Sequence, residues 1–383
     1  MMQQWRWVLR WLAIGLSGWL LLMSPPALAH KASDSYLTLD VQGQRVSGQW
    51  DIALRDIDFA LGLDADGNSE ITWGELRARQ GDLSAWALGR LALQRGGACK
   101  LRVAHLMVDD HTDGGYAVLQ LAGECPGTTG DMSLNYRLLF DLDALHRGLL
   151  KLTLDGVTQT AVLSPESGSL PFKAGAPSRL TQFSQYLLEG IWHIWIGFDH
   201  ILFLLALLLP AVLVREASIW RGASRFRLAL GEVLWVVTSF TVAHSITLTL
   251  AALGFVSLPS RLVEAAIALS VILAAANNLR PLVQGKRWLV AFGFGLIHGF
   301  GFASVLAELG LPQETLVLSL LGFNGGVEMG QLAIVSAFLP LAYLLRNTAF
   351  YRQGVFKGGS MLTLLVALIW FVERAFDLKL IST

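Results

Sequence analysis

The chain has 383 residues, 54% of them hydrophobic and only 15% charged, and its 29 basic and 29 acidic side chains cancel. Soluble domains carry about 25% charge, so the deficit argues against a purely water-soluble protein. A neutral chain with a pI near 7.1 also lacks the basic face that nucleic-acid binding needs, so no nucleic acid is expected among its partners. Charges and turn residues crowd the N-terminal half, while apolar runs fill the rest.

The first 29 residues run from basic (Arg6, Arg10) through apolar (WLAIGLSGWLLLM) to a small-x-small end at Ala27, Leu28 and Ala29. That order is the pattern of a secretory signal peptide, with His30 opening the mature chain; an uncleaved anchor is the alternative. The apolar core is shorter than the roughly 20 residues a spanning helix needs. Cys99 and Cys125, the only cysteines, lie in the polar half. In an oxidising compartment such a pair usually closes a disulfide, with two free thiols as the other reading.

Residues 30–165 read as an exported β-rich domain. SYLTLDVQ, VSGQWDIAL, CKLRVAHLMV, YAVLQLAG, MSLNYRLLFDL and LLKLTLDGV alternate with the period of half-buried strands, which suggests a sandwich. A helix-loop-helix texture interrupts them after the second run. In its loop, residues 64–75, Asp64, Asp66, Asn68, Glu70, Thr72 and Glu75 take positions 1, 3, 5, 7, 9 and 12 of an EF-hand-like calcium loop. Hard oxygen donors at alternate positions suit calcium; Ser69 replaces the usual position-6 glycine, and a turn that holds no ion is the alternative. His30, with an imidazole and a free amine, is a copper-type chelating candidate that would need His105, His111 or His146 beside it. An exposed first residue with no ligand role is the plainer reading.

Residues 166–187 are rich in Ser, Gly and Pro at their start and read as a linker. Beyond them a transmembrane domain, 188–376, holds six apolar segments at roughly 188–212, 230–254, 260–279, 288–308, 315–345 and 358–376. Basic residues gather after the first segment (Arg215, Arg221, Arg225, Arg227), the third (Arg280, Lys286, Arg287) and the fifth (Arg346, Arg352, Lys357). These loops are expected in the cytoplasm, placing the first domain and the C-terminus outside.

Ionisable groups within spans are costly and by default functional. Here they are His193, Asp199, His200, His244, Glu264, His298 and Glu328. At about 1.5 Å rise per residue, His200, His244, His298 and Glu328 share one depth near mid-membrane, the ingredients of a divalent transition-metal site. His193 lies seven residues from His200, on one helix face and nearer the outside; Asp199 suits a supporting role, and Glu264 an entrance. Asn277 and Asn278 would extend a polar path, and Gly293, Gly295, Gly299 and Gly301 read as helix-packing residues. A hydrogen-bonded bundle histidine or a proton relay are the competing readings of any one of these groups.

The strings HIWIGFDHILFLLALLL at 193–209, TSFTVAHSITLTLAALG at 238–254, PSRLVEAAIALSVILAA at 259–275, AFGFGLIHGFGFASVLAELGLP at 291–312 and LLGFNGGVEMGQLA at 320–333 resemble the HupE/UreJ family of bacterial membrane proteins. The resemblance implies a cytoplasmic-membrane protein handling nickel or a related metal, with the motif on His193, Gly197, Asp199 and His200. It also implies an exported domain in longer members, and metalloenzyme-maturation or periplasmic metal-carrier proteins as partners. Transport of a divalent cation, nickel or zinc, is the leading expectation. A membrane metallohydrolase holding zinc, with Ser245 assisting, is the second; a sensor built on His30 and the acidic loop is the third.

Overall fold

The computed structural model describes residues 34–68, 70–111, 114–144, 146–175, 178–216, 219–281, 283, 285–301 and 313–376. The expected signal peptide, His30 and Ser69 lie outside the described residues. Strands β1 (Asp34–Gln42) and β2 (Arg45–Ala53) send Leu37, Leu39, Val41, Val46, Trp50 and Ile52 to one buried side. The two-residue connection between them uses Gly43 at φ 58°, a left-handed conformation that glycine adopts without a Cβ penalty.

All six alternating runs form strands, and three further ones join them. β4 (Lys100–His111), β5 (Gly114–Glu124), β7 (Arg147–Leu154) and β8 (Val157–Leu163) extend the hairpin to a six-stranded sheet of order β4-β5-β2-β1-β7-β8. β3 (Leu91–Gln94), β6 (Met132–Tyr136) and β9 (Ser169–Phe172) make a second sheet of order β3-β6-β9. Both sheets bury apolar side chains in one core, with Leu83 and Ala87 of the helical insertion. The insertion is α1 (Leu54–Leu61), α2 (Trp73–Ala78) and α3 (Gln80–Leu88). Cys99 and Cys125 are disulfide-bonded at the end of the β4–β5 ladder, where Lys100 pairs with Glu124. The segment read as a linker contains β9, whose Pro171 suits an edge strand, and the start of α4 (Arg179–Ile196).

Among the described residues the six expected spans are not confirmed as six. The first is two helices, α4 and α5 (Phe198–Leu208), bent by 71° at Gly197. A hairpin of β10 (Leu213–Glu216) and β11 (Ile219–Gly222) follows, then α6 (Phe226–Ala252) and α7 (Ser260–Leu279). Of the fourth segment, the described residues form α8 (Arg287–His298) and a turn at Gly299–Gly301, and its positions 302–308 lie outside the described residues. α9 (Gln313–Leu345) and a π-helical turn (Phe350–Gly358) leading into α10 (Gly359–Phe376) complete the bundle. Among the described residues, four helices are long and apolar enough to cross a membrane, or five if the bent pair is one span.

Glycines set how closely these helices approach. Gly190 of α4 faces α9, where a Cβ would collide with the Phe323 carbonyl, and Gly322 and Gly326 meet the Phe183 and Leu187 carbonyls in return. Gly295 and Gly299 of α8 lie against the Phe240 and His244 carbonyls of α6. Gly293 faces open space and Gly301 touches Ile267, so only two of the four glycines around His298 serve the α6 contact. Above the bundle, Tyr36, Leu149 and Val162 of the large sheet pack on Tyr186, Leu248, Leu320 and Phe323, and Thr160 and Tyr186 share a hydrogen bond of 3.0 Å.

Candidate metal site

The bend at Gly197 creates the site. A Cβ at Gly197 would run into the His193 carbonyl, the His200 ring and the Asp199 carboxylate, so only glycine lets these groups close around the break. Asp199 sits in the first turn of α5, where its Oδ1 accepts from the His200 backbone N–H at 2.9 Å, a favourable place for an anion. The same oxygen accepts from His200 Nδ1 at 3.0 Å. A carboxylate can only accept, so the imidazole proton sits on Nδ1 and the Nε2 lone pair is left bare.

Bending, rather than helical period, brings the histidines together. His193 and His200 rings are 4.6 Å apart, and His244 of α6 lies 6.2 and 6.3 Å from them. Each of the three offers a ligand nitrogen, and these atoms lie within 4.8 Å of one another. His298, at the end of α8, places its ring 5.3 Å from His200. Phe203, Phe240 and Phe323 wall the cluster, at 4.9 Å from His298, 5.3 Å from His298 and 5.2 Å from His193. His200 is 7% exposed, His244 0% and His298 1%. Among the described residues, His200 Nε2 and His298 Nδ1 have no hydrogen-bond partner, and of the two His244 nitrogens at most one meets the Asn324 side chain. Buried polar atoms are nearly always paired, because an orphan costs about 1–3 kcal/mol. Several orphaned imidazole nitrogens facing one small volume fit a cation that accepts nitrogen donors.

The two other carboxylates on the sequence's roster do not join this group. Glu328 accepts from Thr238 Oγ1 at 2.7 Å. Thr238 lies six residues before His244, about 9 Å along the helix, so Glu328 belongs to a different level than expected. Glu264 accepts from Ser260 at 2.6 Å and pairs with Arg374 at 3.5 Å. Asn277 caps the following loop through Val283, and Asn278 donates to the Ala206 carbonyl at 2.7 Å, tying α7 to α5. Ser245 donates to the Thr241 carbonyl at 2.7 Å, which occupies the hydroxyl proton that hydrolytic assistance would need.

Sequence reading missed Ser270 and Asn324. Ser270 of α7 is 1% exposed and bonds His298 Nε2 at 2.9 Å. Asn324 of α9 borders His244, where its side-chain oxygen can accept from the imidazole. Their signal was a small polar residue inside an apolar span, which is weaker than an ionisable one.

The acidic loop brings Asp64, Asp66 and Glu75 within the same 4.8 Å criterion, but its oxygens are engaged. Asp64 Oδ1 accepts from Gly67 N–H, Asp66 Oδ1 from Asn68 N–H, and Asn68 Oδ1 from Glu70 N–H. Glu75 takes Thr72 and Ala65 N–H groups and completes a capping box with Thr72 at the start of α2. Those bonds hold the Glu75 carboxyl below its ordinary pKa. Of the histidines considered as partners for His30, His146 is fully buried and bonded to Tyr136 OH at 2.8 Å, while burial pushes the Tyr136 pKa up. His111 lies 3.2 Å from Asp51 and stacks on Tyr36, and His105 follows an irregularity in β4.

No curated protein matches the chain. The family model described as HupE / UreJ protein matches residues 172–374, more than half of the sequence and all of the described helices of the bundle. The chain is therefore a membrane protein belonging to the HupE/UreJ family.

Proposed function

We propose that the bundle carries a divalent transition-metal cation of the nickel type across the membrane through His193, His200 and His244. The family is associated with nickel or cobalt transport and with urease or hydrogenase maturation. The observation that carries the reading is the trio of buried imidazoles with ligand atoms within 4.8 Å, on three helices that meet at a break. Imidazole suits borderline cations such as nickel, cobalt and zinc, whereas magnesium, calcium and manganese prefer carboxylate and water. Among the described residues, Asp199 is the carboxylate against the cluster; it orients His200 and offsets part of the cation's charge.

In this reading residues 30–165 form an exported domain over the outer end, residues 166–187 connect it, and the cation is captured outside the cytoplasm, in a bacterial inner membrane. Periplasmic carriers or enzyme-maturation proteins would supply or receive it. The test is nickel uptake into proteoliposomes containing the full chain. Wild type is expected to accumulate nickel and His200→Ala to lose uptake; equal uptake by both, or none by either, would overturn the reading.

A further inference from the structure

We propose that Ser270 is a positioning residue that locks His298 in the Nε2–H tautomer, making His298 Nδ1 the inner donor that receives the cation from His200. The proposal rests on the transport reading above and concerns how the ion leaves the three-histidine station. Ser270 Oγ lies 2.6 Å from the Ile267 carbonyl oxygen and 2.9 Å from His298 Nε2. A carbonyl oxygen accepts only, so the single hydroxyl proton goes to Ile267, and the serine meets His298 as an acceptor. Nε2 must then carry the imidazole proton, and the lone pair falls to Nδ1. Nδ1 is the His298 atom left without a hydrogen-bond partner among the described residues.

The same logic operates at His200 with the nitrogens exchanged. Asp199 accepts from Nδ1–H and leaves Nε2 bare at His200; Ser270 accepts from Nε2–H and leaves Nδ1 bare at His298. Two imidazoles 5.3 Å apart thus each present a fixed lone pair inside one aromatic wall formed by Phe203 and Phe240. His298 stands outside the trio whose atoms meet within 4.8 Å, so a cation held there must exchange ligands to reach it. His200, adjacent to both, is the ligand the two stations share. Conduction needs sites that bind well enough to admit an ion and weakly enough to release it, and a two-imidazole inner station is weaker than the trio.

The experiment uses the full chain labelled with 15N-histidine, with nickel as the transported probe. In wild type the His298 resonances, assigned by their loss in His298→Ala, are expected to show protonated Nε2 and bare Nδ1. Ser270→Ala is expected to mix the tautomers and to slow nickel uptake by about 10–100-fold, the usual cost of losing such a supporting contact. Equilibrium nickel binding at the trio should persist, and Ser270→Thr, which keeps the hydroxyl, should restore both tautomer and rate. An unchanged tautomer or unchanged uptake in Ser270→Ala, with wild type active and His200→Ala inactive, would overturn the proposal. Wild type with no uptake would instead overturn the transport reading itself.

Discussion

The acidic loop at residues 64–75 and the histidine cluster of the bundle each gather three ligand-type side chains within 4.8 Å, yet their lone pairs are in different states. In the loop, backbone N–H groups of Gly67, Asn68, Ala65 and Thr72 already satisfy the carboxylates. In the bundle, His200 Nε2 and His298 Nδ1 lie buried without a hydrogen-bond partner among the described residues, while Asp199 and Ser270 satisfy the other nitrogen of each ring. Proximity of ligands is thus a weaker indicator than the accounting of their hydrogen bonds. A water-exposed loop can meet its own needs locally, whereas a group within an apolar bundle depends on what is brought to it.

His200→Ala should break the contrast most severely, because it removes the ring that lies within 6.3 Å of His193, His244 and His298 alike, and nickel binding by the purified chain should disappear. Replacing Cys99 and Cys125 together by alanine should act only on the other region. Their bond spans 26 residues of sequence, and its loss should lower the stability of the β-rich part by about 3 kcal/mol in denaturant titrations, with nickel binding intact. Asp199→Asn keeps the shape at His200 but removes the charge; nickel affinity should fall by about 10–100-fold while the fold, read by circular dichroism, is unchanged.

The smallest effect belongs to the loop. The Glu75 carboxyl is held below its ordinary value by Thr72 and Ala65, so its contribution to stability is present above the unfolded value near 4.5 and fades as pH falls through the lowered folded value. Glu75→Gln should therefore flatten the acid limb of thermal melting curves below that pH and leave neutral nickel uptake alone. Melting at neutral pH that is unaffected by calcium chelation is also expected, since the loop's turn rests on its own hydrogen bonds.

How much of this was legible in the sequence follows from periodicity and from where it stops. The six alternating runs announced six strands because a half-buried strand writes its burial into every second residue. β3, β8 and β9 were missed: two are only four residues long, and β8 is half-buried on nearly all of its positions, so neither contrast nor length marks them. In the bundle, hydropathy found the helices but not the 71° bend, since Gly197 is one glycine among many and its role depends on the collisions a Cβ would suffer. His193, His200, His244 and His298 were legible as costly residues in apolar runs. Depth counting misplaced Glu328 because it assumed straight spans, whereas Glu328 pairs with Thr238 on its own level. The tautomers set by Asp199 and Ser270 lay beyond any sequence reading, because they depend on which oxygen each ring nitrogen meets.

The most direct test of the account is X-ray absorption spectroscopy at the nickel edge of the loaded, full-length protein. The account predicts a first shell containing three imidazole nitrogens, falling to two in His244→Ala. A shell of oxygen ligands alone, or one unchanged by His244→Ala, would contradict it.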